Sequence, residues 1–523
     1  YTNDLRLKEI ATGDEAGTWG NSTNTNLELI AEKFGTGSEA LSDASTATIT
    51  MQDGTSDAFR SFSLTLTGSL SQACTVTLAP NTLSNVWVVQ NSAGDTVTLT
   101  QGTGANVVIP NGGIKMIATD GAGSGAAVTD VLDLTGGTGN VGLGSGSLGT
   151  SLTTGTDNVA IGENAGDALS TGSDNTLVGD NAGGALTTGG ENIAIGSAAL
   201  DAEDTGNRSV AIGFEALTAQ NNDANNYNVA VGYVAGKAVT SGIRNNFFGA
   251  ESGEALTTGD DNIAIGYQTL TSETAGNRTV AIGNNALDAQ NSSTDTNMYN
   301  VGVGYAAGGA ITTGTQNTLI GGQAGDALTD ADHNVAVGYA ALTADTLGSK
   351  SVAIGRAALF TQNFTTATDA YNVVVGYNAG LSVTTGKENT IVGGLAFDAN
   401  TIGERNVAIG YKAQSSDVAG WKTVAIGHGA LENQNFSTAT DSFNVAVGHS
   451  AGNDVTTGTR NVLMGALAGD ASTTGSRNHV IGYNALGADT KGERATALGY
   501  GVLQSQNFTT ATENYNVALG YNA

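Results

Sequence analysis

The sequence predicts an all-β protein in which a small N-terminal β-sandwich is followed by a long parallel β-roll, or β-solenoid, of about 22 coils. Three observations predict it. A pentad of the form Asn158-Val159-Ala160-Ile161-Gly162 returns through about three quarters of the 523 residues and closes on 22 glycines, from Gly144 to Gly520. The gaps after Gly162 are 17, 17, 17 and 19 residues, then 17, 17, 17 and 21, and the second set recurs as a 72-residue super-period. Within each pentad large and small residues alternate with period two, which is strand patterning. A short fixed period marks a solenoid, in which one repeat cannot bury its apolar face alone and stacks on its neighbours.

Residues 1–35 contain Leu5-Arg6-Leu7-Lys8-Glu9-Ile10 and then Leu27 to Phe34, which fits a short amphipathic helix. This part reads as a docking segment or as an arm packed on the next domain. Residues 36–135 change to short alternating runs separated by Gly, Asn, Asp and Pro. The expected strands are Thr46–Met51, Ser61–Thr67, Thr75–Leu78, Val86–Gln90, Thr96–Thr100, Val107–Ile109 and Ile114–Ala118, in a small antiparallel sandwich. Glycines at Gly121 to Gly125 and Gly136 to Gly139 lead into the solenoid, residues 136–523.

Inside the solenoid the residue before each glycine is apolar, as at Leu143, Ile161, Phe248, Met464 and Leu519, and reads as a buried column. Four residues before the glycine stands Asn in 17 of 22 copies, among them Asn158, Asn175, Asn192, Asn228, Asn300, Asn372, Asn444 and Asn516. Stacked amides bond one another along such an axis, so these predict a structural ladder. The glycines suit corners where φ is positive or the backbone approaches closely. After the corner, pairs such as Ala235-Gly236 alternate with Ala286-Leu287, which predicts coils alternating in girth. Each longer spacer, such as Thr361 to Tyr371, is expected to leave the winding as a bump.

Composition limits the function. A formal charge of −29 argues against nucleic acid and anionic membranes as partners. No apolar run of 18 residues occurs, so no membrane insertion is expected. The single Cys74 excludes an intrachain disulfide framework.

Copies such as Asn228-Val229-Ala230-Val231-Gly232-Tyr233 and Asn516-Val517-Ala518-Leu519-Gly520-Tyr521 look like the head repeats of trimeric autotransporter adhesins, and resemble still more the long repeat arrays of bacteriophage tail fibres. The opening, with Leu5 to Ile10, Trp19-Gly20 and Asn26 to Ala31, is similar to the start of fibre proteins from phages of marine cyanobacteria. The resemblance implies a left-handed parallel β-roll built by three chains, docking to tail or baseplate proteins through the N-terminal region, and a virion, extracellular location. Adhesins add a coiled-coil stalk and membrane anchor, and no sustained heptads occur here. Fibres of this kind commonly end in a chaperone domain, expected to be cleaved off or to lie outside this sequence.

Few residues suit catalysis, and no catalytic, cofactor or metal site is assigned. His428 and His449 follow corner glycines in successive coils and are expected to stack ~5 Å apart. That column elsewhere holds Tyr, so aromatic replacement is the favoured reading. Asp260-Asp261 and Asp201, Glu203 and Asp204 fit either turn chemistry or the acid pair of a glycosidase, and turns are favoured. Thr pairs such as Thr187-Thr188, Thr257-Thr258 and Thr312-Thr313 do not recur in every coil, which weakens an ice-binding reading. A cation recurs once per super-period at Arg208, Arg278, Lys350, Lys422 and Arg494, as a register device paired with carboxylates.

The expected function is a non-enzymatic trimeric tail fibre that attaches to a host-surface polysaccharide or protein. A bacterial adhesin head and a polysaccharide-degrading fibre are the alternatives. The expected host contacts are on the spacers, at Phe364, Phe436 and Phe508 with Gln362, Gln434 and Gln506, while Tyr371, Phe443 and Tyr515 are expected to fold inward.

Overall fold

The computed structural model of the chain describes residues 4–11, 16–131, 139–149 and 151–523. The chain divides into two compact units, 1–134 and 135–523. Gly136 and Gly137 lie outside the described residues.

In the first unit, helix α1 (Trp19–Lys33) is longer than the expected one and buries only Leu29. Its last turn is pinned by Lys33, whose Nζ donates to Asn85 Oδ1 at 2.6 Å and to the Val86 carbonyl at 3.0 Å. Burial lowers the pKa of this amine to about 8. Nine strands follow: β1 (Thr36–Leu41), β2 (Thr46–Thr50), β3 (Ser63–Gly68), β4 (Cys74–Ala79), β5 (Ser84–Ser92), β6 (Val97–Thr100), β7 (Val107–Ile109), β8 (Ile114–Asp120) and β9 (Val128–Asp130). They form two sheets, ordered β1-β3-β5-β8-β9 and β2-β4-β6-β7, around a shared core that includes Leu64, Val76, Trp87 and Leu99.

The antiparallel expectation is corrected. β1, β3 and β5 pair in parallel, as do β2, β4 and β6, and antiparallel pairing enters only with β7, β8 and β9. The first six strands alternate between the sheets, so each sheet receives every second strand in the same direction. Side-chain alternation reports which residues face the core, not strand direction. Buried Arg60 donates to the carbonyls of Leu5, Gln52 and Thr55, and Arg6 pairs with Asp53, so the opening stretch is stapled to this unit.

In the second unit 22 strands of three residues form one parallel sheet. Each pairs in phase with the next, as Val159, Ala160 and Ile161 do with Thr176, Leu177 and Val178. At strand spacing of ~4.8 Å the stack is on the order of 100 Å long. The corner glycines meet both conditions expected of them. Gly162 has φ +137°, and a Cβ there would lie 2.4 Å from the Gly179 carbonyl oxygen of the next coil.

The expected burial of the strands is reversed. The residues before the corner face outward, with Ile161 38% and Met464 40% exposed, and Leu143, Phe248 and Leu519 exposed likewise, while the central Ala160, Ala194, Ala211 and their equivalents are fully buried. A 17-residue coil encloses too little space for two β-branched columns. Its interior is filled by the small central residue together with side chains from the turns, such as Ala165, Leu169, Leu200 and Leu217. The pairs after the corner therefore exchange volume and do not signal a change in girth. Where the central residue is Leu or Phe, at Leu177, Phe247, Leu319 and Leu463, the turns on both sides carry glycine, and at Val374, Ile391 and Val480 one of the two does. A Cβ at Gly236 or Gly253 would come within 2.7 or 2.4 Å of the Phe247 ring. Where it is Ala281, the turns carry Leu270 and Leu287 in left-handed conformation, with φ +54° and +51°. Close packing of this kind leaves little room for independent change.

Candidate functional surface

The expected asparagine ladder runs through the interior. Asn158 Nδ2 donates to Asn140 Oδ1 at 2.9 Å and to the Gly172 carbonyl at 2.9 Å, and Asn175 Nδ2 repeats this on Asn158 Oδ1 and Gly189. Asn192, Asn228, Asn300, Asn372 and Asn444 are buried in the same line, and Asn516 is exposed in the last coil. At the fourth coil of each super-period, where Asn is replaced, the spacer glutamine carries the line across. Gln362 donates to Ser351 Oγ at 3.2 Å and accepts from Asn372 Nδ2 at 2.8 Å. Gln220, Gln290 and Gln434 make the same bridge, and Gln506 accepts from Asn516 Nδ2 at 2.6 Å.

Each of these glutamines also donates to a buried carboxylate one coil earlier, at Glu203, Glu273, Asp345, Asp417 or Asp489. The sequence reading passed over this series, although an acid does recur three residues before a glycine in each third coil. Asp417 shows its role: the carboxylate accepts from Gln434 at 2.9 Å, Gln414 at 2.7 Å and the amides of Gly420 and Phe436 at 3.1 Å. It fastens the spacer to the coil. Burial raises its pKa above the ordinary aspartate value.

This anchoring overturns the expected exposure of the spacer residues. Phe364 and Phe436 are 7% and 6% exposed, Gln362 and Gln434 are buried, and Phe508 and Gln506 are partly buried. The Phe364 amide donates to Asp345 Oδ1 at 3.0 Å, which draws the ring against the coil. Tyr371, Phe443 and Tyr515, expected inside, are exposed. They sit at a left-handed position just before the ladder asparagine, with φ +50° to +51°. The spacers themselves lie back in short parallel pairings such as Gly348–Ser349 with Thr368–Asp369, leaving tips such as Thr365 to Ala367 exposed.

The outer side of the long sheet is the most distinctive surface. Two columns of Val and Ile run along it, bordered at one end of the strands by the residue before the ladder asparagine and at the other by the residue after the corner glycine. The second border holds exposed Tyr233, Tyr267, Tyr305, Tyr339, Tyr377 and Tyr411. His428 and His449 continue that column as stacked rings 5.1 Å apart, with Tyr411 5.4 Å from His428. The first border carries the recurring cations, which do pair with carboxylates: Arg208 with Glu191 at 2.8 Å, Lys350 with Asp369 at 2.6 Å, Lys422 with Asp441 at 2.7 Å, Arg494 with Glu513 at 2.8 Å and Arg278 with Asp261 at 3.8 Å. The Lys350 ammonium holds the Asp369 carboxyl below its ordinary pKa, as Tyr515 and Arg494 do for Glu513.

The acids considered for glycosidic chemistry are dispersed. Asp261 binds Arg244 at 2.5 Å, Asp260 accepts from the Ile243 amide at 2.8 Å, and Glu203 is the buried spacer anchor. The Asp201 carboxyl is pushed up by burial and by neighbouring Asp167 and Asp180. Thr187, Thr257 and Thr312 turn their hydroxyls onto carbonyls of the next coil at 3.1, 2.8 and 3.3 Å. Among the described residues no group of three or more His, Cys, Asp and Glu is placed to hold a metal ion, and no helix is long and apolar enough to cross a membrane. No protein-family model, curated protein or solved structure matches the chain.

Proposed function

We propose that the protein is a structural fibre element that self-associates, as a homotrimer, through the outer face of its long sheet and acts in attachment to a cell surface. The observation that carries this reading is the pair of outward columns along 22 strands, mostly Val and Ile and exposed or half-buried, with Thr, Asn or His at Thr176, Asn246, Thr318, Thr390, His479 and Thr496. An apolar strip on the order of 100 Å long far exceeds what an isolated soluble chain leaves in water, and contiguous strips of that size mark association surfaces. The strip repeats with the coil, so the partner that matches it along its whole length is another copy of the same repeat. The tail-fibre reading, with a docking N-terminal region and a solenoid presented to the host, adds the resemblance of the repeats to fibre arrays. Two measurements test it. Labelled protein should bind intact cells of a susceptible cyanobacterial strain and compete with phage adsorption; saturating protein that neither binds nor competes on any strain of a broad panel would refute the attachment role. Immunogold labelling of phage particles should decorate the tail, and decoration of bacterial envelopes alone would favour an adhesin.

A further inference from the structure

The two borders of the apolar face are chemically unlike, and each follows the four-coil super-period. The residue before the ladder asparagine has left-handed φ in every coil; it is Gly139 in the first, and from Asp157 to Tyr515 it is not glycine, although glycine is the relaxed choice there. It is Arg or Lys at the fourth coil and Tyr or Phe at the next. Left-handed residues other than glycine also fill the turns, as at Ala198 and Leu270, so it is the recurrence of a cation and then an aromatic at this border, not its strain, that points to what those side chains touch.

Paired within the same coil, the two borders set every bulky aromatic of the first border against Tyr or His, as Tyr299 against Tyr305, and of the five recurring cations put Lys350 against Arg356 and Arg278 against Asn284, with Arg208 on Phe214 and Arg494 on Tyr500. Shifted by one coil they become complementary. Arg278 then meets Tyr305, Lys350 meets Tyr377, and Arg494 meets Tyr521. The same shift places bulky Tyr299 and Tyr371 opposite Gly322 and Gly394, and Tyr227 and Phe443 opposite Ala250 and Ala466. The cations already lean toward the next coil's level: Lys350 Nζ lies 5.3 Å above the Tyr371 ring and the Arg494 guanidinium 5.4 Å above Tyr515. Gly322 and Gly394 add an independent sign. Neither has positive φ, and a Cβ at either would meet nothing closer than 3.6 Å, so their own chain gives no reason for glycine.

Resting on the self-association reading above, we infer that parallel copies of this chain pack border to opposite border with a one-coil offset, the recurring cations seated on partner tyrosines, or on His449 for Lys422, and the bulky aromatics from Tyr227 to Phe443 in a partner's glycine or alanine notch. The two borders of one copy lie at opposite ends of the same strands, so they meet only between copies. Unlike borders make a heterologous contact, which closes as a ring of three parallel chains where the strands tilt by one coil between the two borders and otherwise winds on as an open screw, and cations over aromatic faces give it direction.

Paired cysteines test the offset, in a chain whose Cys74 is replaced by Ala. Lys350→Cys with Tyr377→Cys should be joined between chains by a short bismaleimide, giving multiples of the chain mass on denaturing gels. Lys350→Cys with Arg356→Cys should stay single. Preferential joining of the second pair, or of neither pair in a protein that sediments as an oligomer, would overturn the offset alone. A parent chain that sediments as a monomer would overturn the self-association on which it rests. Filling the notches with Gly322→Trp and Gly394→Trp, which the isolated coil accommodates, should weaken association at least tenfold with coil melting unchanged, and unaltered association would also overturn the inference.

Discussion

The volume exchange between strand and turn gives a quantitative test at Leu319. This side chain is fully buried and lies between two glycine turns: a Cβ at Gly308 would come 2.7 Å from Leu319 Cδ1, and one at Gly325 would come 2.8 Å from Cδ2. Leu319→Ala removes three carbons from a site whose walls are backbone of adjacent coils and cannot collapse, so the cost should fall at ~3–5 kcal/mol. Gly325→Leu alone crowds Leu319 and Leu328 and puts a side chain at φ +55°, costing ~2–4 kcal/mol. Combined, they recreate the arrangement at Ala264 and Leu270, where leucine is held at φ +54°. The double variant should therefore recover most of the loss, with a favourable coupling of at least ~2 kcal/mol between the two sites. Repeat arrays unfold locally, so the assay is amide hydrogen exchange at Thr318 and Gly321, whose N–H groups bond to Asn334 and Val303 in the flanking coils at 2.8 and 2.7 Å. Additive losses would show that turn and strand do not share one packing site and would refute the account of the core.

Asn317→Ala should cost ~2–5 kcal/mol, because it strands the Ala331 carbonyl and the Asn334 amide, bonded to it at 2.7 and 3.0 Å, and exchange protection of the coils on both sides reads the loss. A change below ~1 kcal/mol would make the ladder ornamental. The Asp417 carboxyl has a folded pKa above its ordinary 3.8, so its contribution is fully present below that value and is lost as pH rises through the folded pKa. Relative to Asp417→Asn, the parent should gain stability as pH is lowered from 7 toward 4 in parallel melts, and a pH-independent difference would contradict the assignment. Lys422→Gly relieves ~1 kcal/mol of left-handed strain and gives up an exposed ion pair of similar size, so local exchange around Val424 should move by less than ~1 kcal/mol. A loss above ~2 kcal/mol would mean that the lysine is needed by its own coil. Ile320→Asp should leave the coil folded by circular dichroism and abolish self-association, whereas Leu319→Asp should melt the coils around it, since an unpaired charge would then be buried.

Much of the solenoid was legible because its period is written in residues with single physical uses: glycine where φ is positive and coils touch, asparagine where a buried amide must both donate and accept. The choice of inner face was not. Period two separates Ile161 from Ala160 but does not say which is inside, and ranking by hydrophobicity picks the larger residue. The deciding information lies in the turns, where Leu200 and Leu217 already fill the interior on both sides of Ala211, leaving space there only for alanine. The spacers misled for a related reason. Phe364 and Gln362 resemble an exposed binding tip in composition, and only the buried carboxylate of Asp345, contributed by the preceding coil, shows that they are drawn inward. In the first unit seven of the nine strands, β2 to β8, were readable from alternation, while β1 and β9 were not, and parallel pairing depends on which sheet the chain enters next, which no local pattern records.

The central claim is that the outward Val and Ile columns are covered by further copies of the chain. Sedimentation equilibrium of the intact protein at micromolar concentration tests it most directly. The account predicts a single species of three times the 52.1 kDa chain mass. A stable, folded species of one chain mass, with Ile161, Ile265 and Ile354 still open to water, would contradict it.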